Sequence, residues 1–301
     1  MKPWIVRTAA ALAALTLLAG GAVLAGTYLA DRKANRSVHA EVQPVAYRSD
    51  AAALERGRYL YDSRGCVACH AADGHGKTFV DEPNGLLVKG PNISPGPGNV
   101  VASYQPADWV RAIRHGIKPG GKPLLIMPSE DYNRLTDDDL AALVSHLRHM
   151  PPVAGEAAVL RLPALVKVLY AAGMVQDAYE KIDHRLPPAQ PVTEGVTIAH
   201  GAYVANMCMG CHGANFSGGK ISGAPPDWPV AANLTTGPQS EMARYTAAGQ
   251  FRQMLASGRR PDGSQVSAVM PFDALKAMSA TDADALYLYL KSLPPRNAGE
   301  R

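Results

Sequence analysis

The chain has little of several features that would point to other classes of protein. Aromatic residues make up 6% of its 301 residues, and no dense basic tract accompanies the formal net charge of +4. That weak imbalance argues against a nucleic-acid partner. No convincing run of alternating apolar and polar residues is present, which argues against strands and predicts an all-α fold. Flavin, quinone and molybdenum motifs are also missing, so any primary catalysis would belong to another subunit.

Cysteine is equally scarce, and its placement is informative. All four cysteines lie in two copies of the pentapeptide Cys-x-x-Cys-His, which leaves none for a disulfide, a zinc site or a nucleophile. Two thiols at this spacing can each form a thioether to a haem vinyl group, and the adjacent histidine then ligates the iron. A zinc site or a redox dithiol would not explain a histidine after both pairs. The sequence therefore predicts two covalently attached haems c, held by Cys66, Cys69 and His70 and by Cys208, Cys211 and His212.

The N-terminus carries the one long uncharged run. Thr8–Ala30 contains 23 residues without a charge, flanked by Arg7 and Asp31. A signal-peptide core is usually about 7–15 residues long, whereas a spanning helix needs about 20. We therefore expect residues 1–30 to be an uncleaved transmembrane anchor. The alternative is a cleaved signal, with small residues near Ala25 at the cleavage site and a soluble periplasmic product. Haem c is attached outside the cytoplasm, which places the bulk of the chain on the periplasmic side of a bacterial inner membrane.

The chain is internally duplicated. Cys66 and Cys208 are 142 residues apart, and the Met-Pro pairs at Met127 and Met270 are 143 apart. A period this long marks a repeated domain and not a solenoid. The predicted organisation is an anchor or signal (1–30), a tether (31–47), a first domain (48–153), a connecting segment (154–195), a second domain (196–295) and a tail (296–301).

Each repeat shows the same order of predicted helices. A helix precedes the haem motif, a long loop rich in glycine and proline follows it, and a middle helix, a methionine loop and a final amphipathic helix complete the domain. Pro-Pro ends the final helix in both repeats. The predicted ranges are 51–62, 106–115 and 137–149 in the first repeat and 198–207, 241–257 and 281–293 in the second.

The connecting segment has a character of its own. Leu162, Leu165, Val166 and Leu169 follow helical spacing, and a proline-rich stretch comes after them. One interpretation is a helix that packs across the two haem domains. The other is a helix that docks onto the membrane surface or a partner subunit.

The sixth ligand of each iron is predicted from the matched Met-Pro pairs. Met127 and Met270 follow His70 and His212 by 57 and 58 residues. A thioether sulfur favours ferrous iron, and the proline stiffens the loop that presents it. His75 and His115 are weaker candidates, expected to be a loop residue in solvent and a polar residue that ends the middle helix. The arginines and lysines between the middle helix and the methionine loop have two possible roles. They could neutralise haem propionates or form a docking rim, or they could be an ordinary solvated face.

At these motifs the chain resembles the exported dihaem cytochromes c built from two class I-type domains, such as the cytochrome subunits of bacterial dehydrogenases. The resemblance rests on Gly57-Arg58-Tyr59-Leu60, Gly90-Pro91-Asn92-Ile93, Arg114-His115-Gly116, Gly201-Ala202-Tyr203, Asn233-Leu234 and both Met-Pro pairs. It implies that the carbonyl of Pro91 bonds the proximal histidine, with Ala232 in that place in the second repeat. The first repeat departs from the pattern at His146, which stands where the second repeat has Tyr289.

The predicted function is electron transfer. Two irons closed by histidine and methionine leave no open position for a substrate, so one-electron relay remains, from a dehydrogenase to a terminal oxidase or another cytochrome. The alternative is a dihaem enzyme that acts as a peroxidase or oxidises a sulfur compound. This alternative requires an iron whose sixth coordination position can become vacant, or a cysteine ligand, and the sequence offers neither.

Overall fold

The structure is a computed structural model that describes residues 2–221, 223–225 and 227–300. Within this part of the chain the protein is mostly helical, and the same order of elements occurs before and after a short connecting helix. The predicted fold class, two tandem helical domains behind an N-terminal helix, is confirmed. The α-helices are α1 (Pro3–Ala34), α2 (Ala51–Ser63), α3 (Cys66–His70), α4 (Pro106–His115), α5 (Ser129–Tyr132), α6 (Asp137–His149), α7 (Ala164–Ala171), α8 (Ile198–Ala205), α9 (Met209–His212), α10 (Ala248–Ser257), α11 (Phe272–Leu275) and α12 (Ala280–Ser292).

The structure contains a small sheet, so the expectation that the chain has no strands was wrong. Strand β1 (Thr78–Asp81) pairs antiparallel with β2 (Leu87–Lys89), and β2 pairs antiparallel with β3 (Val159–Arg161). The strands are three or four residues long and largely solvent-exposed or half-buried, so they carry too little alternation to be read from sequence. Strand β3 belongs to the connecting segment, and the sheet therefore ties that segment to the first haem-motif loop.

The middle helix differs between the two halves. In the first half α4 occupies the predicted range, and Gly116 ends it in the left-handed conformation with φ of 64°. In the second half one helix over 241–257 was expected, and this was wrong. A 3₁₀ turn at Glu241–Arg244 is followed by the extended residue Tyr245, and α10 begins only at Ala248. The side chain of Ser240 accepts a hydrogen bond from the amide of Met242 and so caps the 3₁₀ turn.

The first and last helices of each domain cross at a glycine. A Cβ at Gly57 in α2 would lie 2.0 Å from the carbonyl oxygen of Ala142 in α6, and one at Gly201 in α8 would lie 2.0 Å from that of Ala285 in α12. A side chain of any kind is excluded at this distance. The glycine of each Gly-x-Tyr motif is therefore explained by helix packing.

Each crossing sits in its own hydrophobic core. The buried side chains of the first core include Leu60, Tyr61, Trp109, Val110, Ile113, Leu140, Leu143, Val144 and Leu147. Those of the second are Val204, Phe216, Met242, Tyr245, Phe251, Met254, Leu255, Leu275, Leu286 and Leu290. The two clusters share no buried residue, as expected for domains with separate cores.

Helix α7 packs mainly against α1, so the first of the two interpretations, a helix that packs across the two haem domains, was wrong. A Cβ at Gly26 of α1 would lie 2.7 Å from Val168 Cγ2, so the two helices approach closely at a glycine. Lys167 Nζ lies 2.9 Å from Asp31 Oδ1, and Lys33 Nζ donates to the carbonyl of Tyr170. Helix α1 is also long and apolar enough to cross a membrane, a property that a signal sequence shares.

A buried carboxylate holds the chain that leaves α1. Asp177 is fully buried, and the guanidinium of Arg36 donates to both of its oxygens at 2.6 and 3.1 Å. The hydroxyl of Tyr170 donates to the same carboxylate. One residue further on, Ala178 N donates to the carbonyl of Leu124 in the first domain. Asp177 thus attaches the connecting segment to the chain just after α1, and the next residue, Ala178, attaches it to the first domain.

Candidate haem-attachment sites

The two cysteines of each motif lie on one short helical stretch. Helix α3 begins after Gly65, whose φ is 89°, and a 3₁₀ turn at Asn206–Cys208 leads directly into α9. Residues three apart on a helix share a face, so both thiols of a motif point to the same side. Burial raises the pKa of the Cys66 and Cys208 thiols to about 12. These are protonated, partly buried thiols and not activated nucleophiles.

The structure brings both motif histidines to the carbonyls that the family resemblance implied. His70 Nδ1 lies 3.0 Å from the carbonyl oxygen of Pro91, and His212 Nδ1 lies 2.8 Å from that of Ala232. A carbonyl only accepts, so each ring carries its hydrogen on Nδ1 and has the lone pair on Nε2. Burial lowers the pKa of His70, which favours the neutral ring. A neutral imidazole held through Nδ1 is the arrangement that a haem iron requires.

An asparagine network fixes the loop behind each of these carbonyls. Asn92 Oδ1 accepts from the backbone and hydroxyl of Ser94, and its Nδ2 donates to the carbonyl of Val153. In the second domain Asn233 makes the same contacts with Thr235 and with the carbonyl of Arg296. All four of these side chains are buried. The repeated Asn-x-Ser/Thr sequence was visible, but its partners beyond the final helices were not predictable from it.

The two Met-Pro pairs have the same backbone shape. Pro128 has φ of −80° and ψ of 63°, and Pro271 has φ of −79° and ψ of 64°. In each pair the amide after the proline donates to the methionine carbonyl at 2.8 Å, which closes an inverse γ-turn. Met127 and Cys66 both pack against the first core, and Met270 and Cys208 both pack against the second. Both sulfurs are thus presented by equally stiff loops on the same core as the attachment motif.

The first domain also contains a buried side-chain donor without a partner among the described residues. Trp109 Nε1 is buried and has no hydrogen-bond partner among the described residues. It lines a cavity of about 380 Å³ together with Tyr104, Val101 and Leu147. The residues that line this cavity lie outside the attachment motifs and the Met-Pro pairs. The fit to a c-type haem rests instead on the two motifs, each with two thiols on one helical stretch and an imidazole held through Nδ1.

The weaker histidine candidates lie elsewhere. His75 is exposed, and its Nδ1 lies 2.5 Å from Asp73 Oδ1. His115 ends α4 as expected, but it is buried and stacks on His184 with their Nδ1 atoms 3.0 Å apart. Burial, reinforced by His184 and Arg114, lowers the pKa of His115 to about 4. Both rings are therefore engaged outside the attachment motifs.

The basic residues near the methionine loops are mostly paired within the protein. Arg114 is buried and donates to the carbonyl of Leu135 and to Asp137 at the start of α6. In the second domain Arg252 pairs with Asp284, and Arg260 pairs with Glu241. These ion pairs favour a role in positioning helix termini over a shared docking rim.

The two domains meet through a reciprocal exchange of tyrosines. The hydroxyl of Tyr59 donates to Asp282 of the second domain at 2.6 Å, and that of Tyr203 donates to Asp139 of the first at 2.6 Å. Each hydroxyl also accepts a backbone amide at the N-terminus of the opposite final helix, from Ser279 and from Thr136. Both tyrosines belong to the Gly-x-Tyr motifs, yet no local pattern indicates that they bond to the other domain.

Asp282 is the more heavily bonded of the two aspartates. Arg64 of the first domain and His200 of its own domain reach its buried carboxylate at 2.6 and 2.7 Å. Burial alone would raise the pKa of Asp282, but Arg64 and the hydrogen bonds from Tyr59 and His200 hold it at about 2. The carboxylate is therefore ionised and fully engaged between the domains.

The same interface brings the two attachment motifs near each other's methionine loop. The amide of Gly210, between Cys208 and Cys211, donates to Asp131 Oδ1 of α5 at 2.8 Å. In the opposite direction α11 packs against α3. Each Cys-x-x-Cys-His segment thus contacts the short helix that follows the other domain's methionine.

A helical domain that presents two thiols, a neutral histidine fixed through Nδ1 and a methionine on one core is a cytochrome c domain, and this chain has two. Residues 52–147 match the family model described as "Cytochrome C oxidase, cbb3-type, subunit III", and residues 198–294 match the one described as "Cytochrome c". The chain therefore contains two cytochrome c domains, which imply two covalently bound c-type haems.

Its similar proteins are cytochrome subunits of dehydrogenases. The chain is 29% identical to the cytochrome c subunit of the quinone alcohol dehydrogenase of Komagataeibacter europaeus, over 82% of this chain and 57% of the relative. It is 27% identical to the fructose dehydrogenase cytochrome subunit of Gluconobacter japonicus, over 84% and 55%. It is 27% identical to the gluconate 2-dehydrogenase cytochrome c subunit of Pantoea cypripedii, over 83% and 61%. The chain thus spans less than two thirds of the length of these relatives.

Proposed function

We propose that the chain relays single electrons through two haems, each ligated by a histidine and a methionine. The first would be held by Cys66, Cys69, His70 and Met127. The second would be held by Cys208, Cys211, His212 and Met270. Haem supplies a one-electron iron couple. The protein's part is to hold each imidazole in one tautomer, present a thioether sulfur from a stiff loop and keep bulk water away.

The observation that carries this proposal is the repetition of one complete ligand frame. In both domains the imidazole Nδ1 is bonded to a backbone carbonyl and the methionine sits before an identical proline turn. A relay needs two closed irons, whereas an enzyme needs an open one. The matched frames, together with the contacts of each motif with the other domain's methionine helix, favour the relay.

We propose further that the electron donor is a dehydrogenase subunit and that the acceptor is an oxidase or another cytochrome. The named relatives are cytochrome subunits of dehydrogenases, which supports the donor. The proposed location is the periplasmic side of the bacterial inner membrane, with α1 as the anchor. The haem domains would comprise residues 48–153 and 196–295.

Optical spectroscopy of ligand variants tests the ligation. Met127→Leu and Met270→Leu should each remove about half of the weak methionine–ferric iron band and allow carbon monoxide to bind one reduced haem. Each change should also lower the reduction potential of one haem. The control is Met174→Leu, at an exposed methionine outside both cores. Rapid carbon monoxide binding by the unaltered protein would instead support the dihaem-enzyme alternative.

Purification from the native membrane tests the partner. A dehydrogenase that copurifies with the chain, and whose substrate reduces both haems, is the expected result. A chain that migrates alone and reduces an oxidase directly would contradict the subunit proposal and leave a free-standing carrier.

A further inference from the structure

Helix α7 lies beside the last part of the N-terminal apolar helix. Val168 contacts α1 at Gly26, within the uncharged run, whereas Lys167 pairs with Asp31 just after that run ends. These two contacts are five residues apart on α1, a rise of about 7 Å. The connecting helix therefore crosses α1 at the boundary between its apolar and its charged part.

The outer side of α7 is apolar and open. Leu165, one turn before Val168, is 69% exposed, and Met174 just after the helix is 65% exposed. Lys167 is the sole charged residue of α7, and its ammonium is directed to Asp31. The neighbouring α1 residues Tyr28 and Leu29 are exposed as well. The apolar surface of α7 is thus continuous with that of the helix proposed to cross the membrane.

We propose that α7 is an interfacial helix, which lies on the bilayer surface with Leu165 and Met174 among the lipid headgroups and upper acyl chains. Interfacial helices bury their apolar face by about 5–10 Å, which matches the rise along α1 between its two contacts with α7. Tyr170 of this helix bonds Asp177, which pairs with Arg36 of the tether, and the next residue, Ala178, bonds the first domain. The haem domains would consequently be held in one orientation above the membrane and not on a free tether.

This inference rests on the proposed anchoring of α1, and quenching of a fluorescent label can separate the two. The full haem-loaded chain is reconstituted in lipid nanodiscs, with a single cysteine introduced and labelled with an environment-sensitive dye. The test site is Leu165→Cys. Leu15→Cys, in the middle of α1 and 62% exposed, reports on the anchor. Val230→Cys, in the second domain and 69% exposed, is matched to Leu165 in exposure. The quenchers are nitroxide-bearing lipids and aqueous iodide.

The expected result is that nitroxide lipids quench most of the fluorescence of labels at residues 15 and 165. A label at residue 230 should be quenched by iodide only. Quenching of residue 165 by iodide alone, with residue 15 still quenched by lipid, would overturn the interfacial helix but leave the anchor intact. Protection of residue 165 from both quenchers would overturn it in favour of a protein cover. Iodide quenching at residue 15 would show that the anchoring itself fails. Equal lipid quenching at residues 165 and 230 would also overturn the proposal.

Discussion

The two cytochrome c domains repeat the same frame around the attachment motif but differ in the residues that join them. Both have the glycine crossing, the histidine-to-carbonyl bond, the asparagine network and the proline turn. At the interface, however, Asp282 accepts from Tyr59, Arg64 and His200, whereas Asp139 accepts from Tyr203 and Arg56. The parts that hold the proposed ligands are thus duplicated closely, and the parts that bind one domain to the other have diverged.

The largest effect is expected at the more buried aspartate. Asp282→Asn would leave the guanidinium of Arg64 without its counterion in a fully buried position, which costs about 3–5 kcal/mol of unfolding free energy. Asp139→Asn should cost less, because the guanidinium of Arg56 is 27% exposed and can turn to water. Denaturant titration of both variants measures the difference. Equal losses of unfolding free energy would show that the two aspartates contribute equally to the interface.

The same carboxylate predicts a dependence of stability on pH. Its pKa in the folded protein is about 2, below the ordinary value of 3.8, so the folded state binds the proton less readily than the unfolded state. The stabilisation is therefore complete above about pH 4 and is lost as the pH falls towards 2. Unfolding midpoints measured over this range should fall more steeply for the unaltered chain than for Asp282→Asn. Parallel pH curves for the two proteins would contradict the lowered pKa of Asp282.

The glycine crossings allow a second comparison of the domains. Gly57→Ala and Gly201→Ala each place a methyl group 2.0 Å from a carbonyl oxygen, and the helices must separate at a cost of about 3 kcal/mol. Each change should mainly disturb its own domain, visible as altered haem absorption at one site. Gly249→Ala is the control, because nothing lies within 4 Å of its added Cβ, and helix propensity should make it neutral or slightly stabilising. Equal damage by all three would refute the packing explanation.

The sequence predicted most of the duplicated frame and little of what differs between the halves. The ligand candidates and several helix ranges followed from short-range patterns: Cys-x-x-Cys-His, Met-Pro, helical spacing and capping residues. The tyrosine exchange could not be predicted, because nothing local distinguishes a tyrosine that bonds its own domain from one that bonds the other. The strands β1 to β3 were too short to produce alternation, and the α1–α7 contact depends on Gly26 and Val168, which are far apart in the chain.

The smallest expected effect concerns the residue that follows each motif histidine. Ala71 has φ of 61° and ψ of 169°, and its counterpart Gly213 has φ of 78° and ψ of 162°. This region suits glycine almost alone, and an alanine there stores about 1–3 kcal/mol of strain. Ala71→Gly should relieve that strain, partly offset by the greater freedom of glycine in the unfolded chain, for a net gain of about 1 kcal/mol.

Gly213→Ala is the reciprocal change and should destabilise the second domain by a similar amount. The hydroxyl of Tyr61 donates to the backbone carbonyl of residue 71, a contact that Ala71→Gly retains, so the variant isolates strain from hydrogen bonding. Denaturant unfolding of the haem-loaded variants provides the comparison. If Ala71→Gly lowers stability instead, the restriction that alanine places on the unfolded chain outweighs the backbone strain at residue 71. The two attachment loops would then differ in energetics despite their common shape.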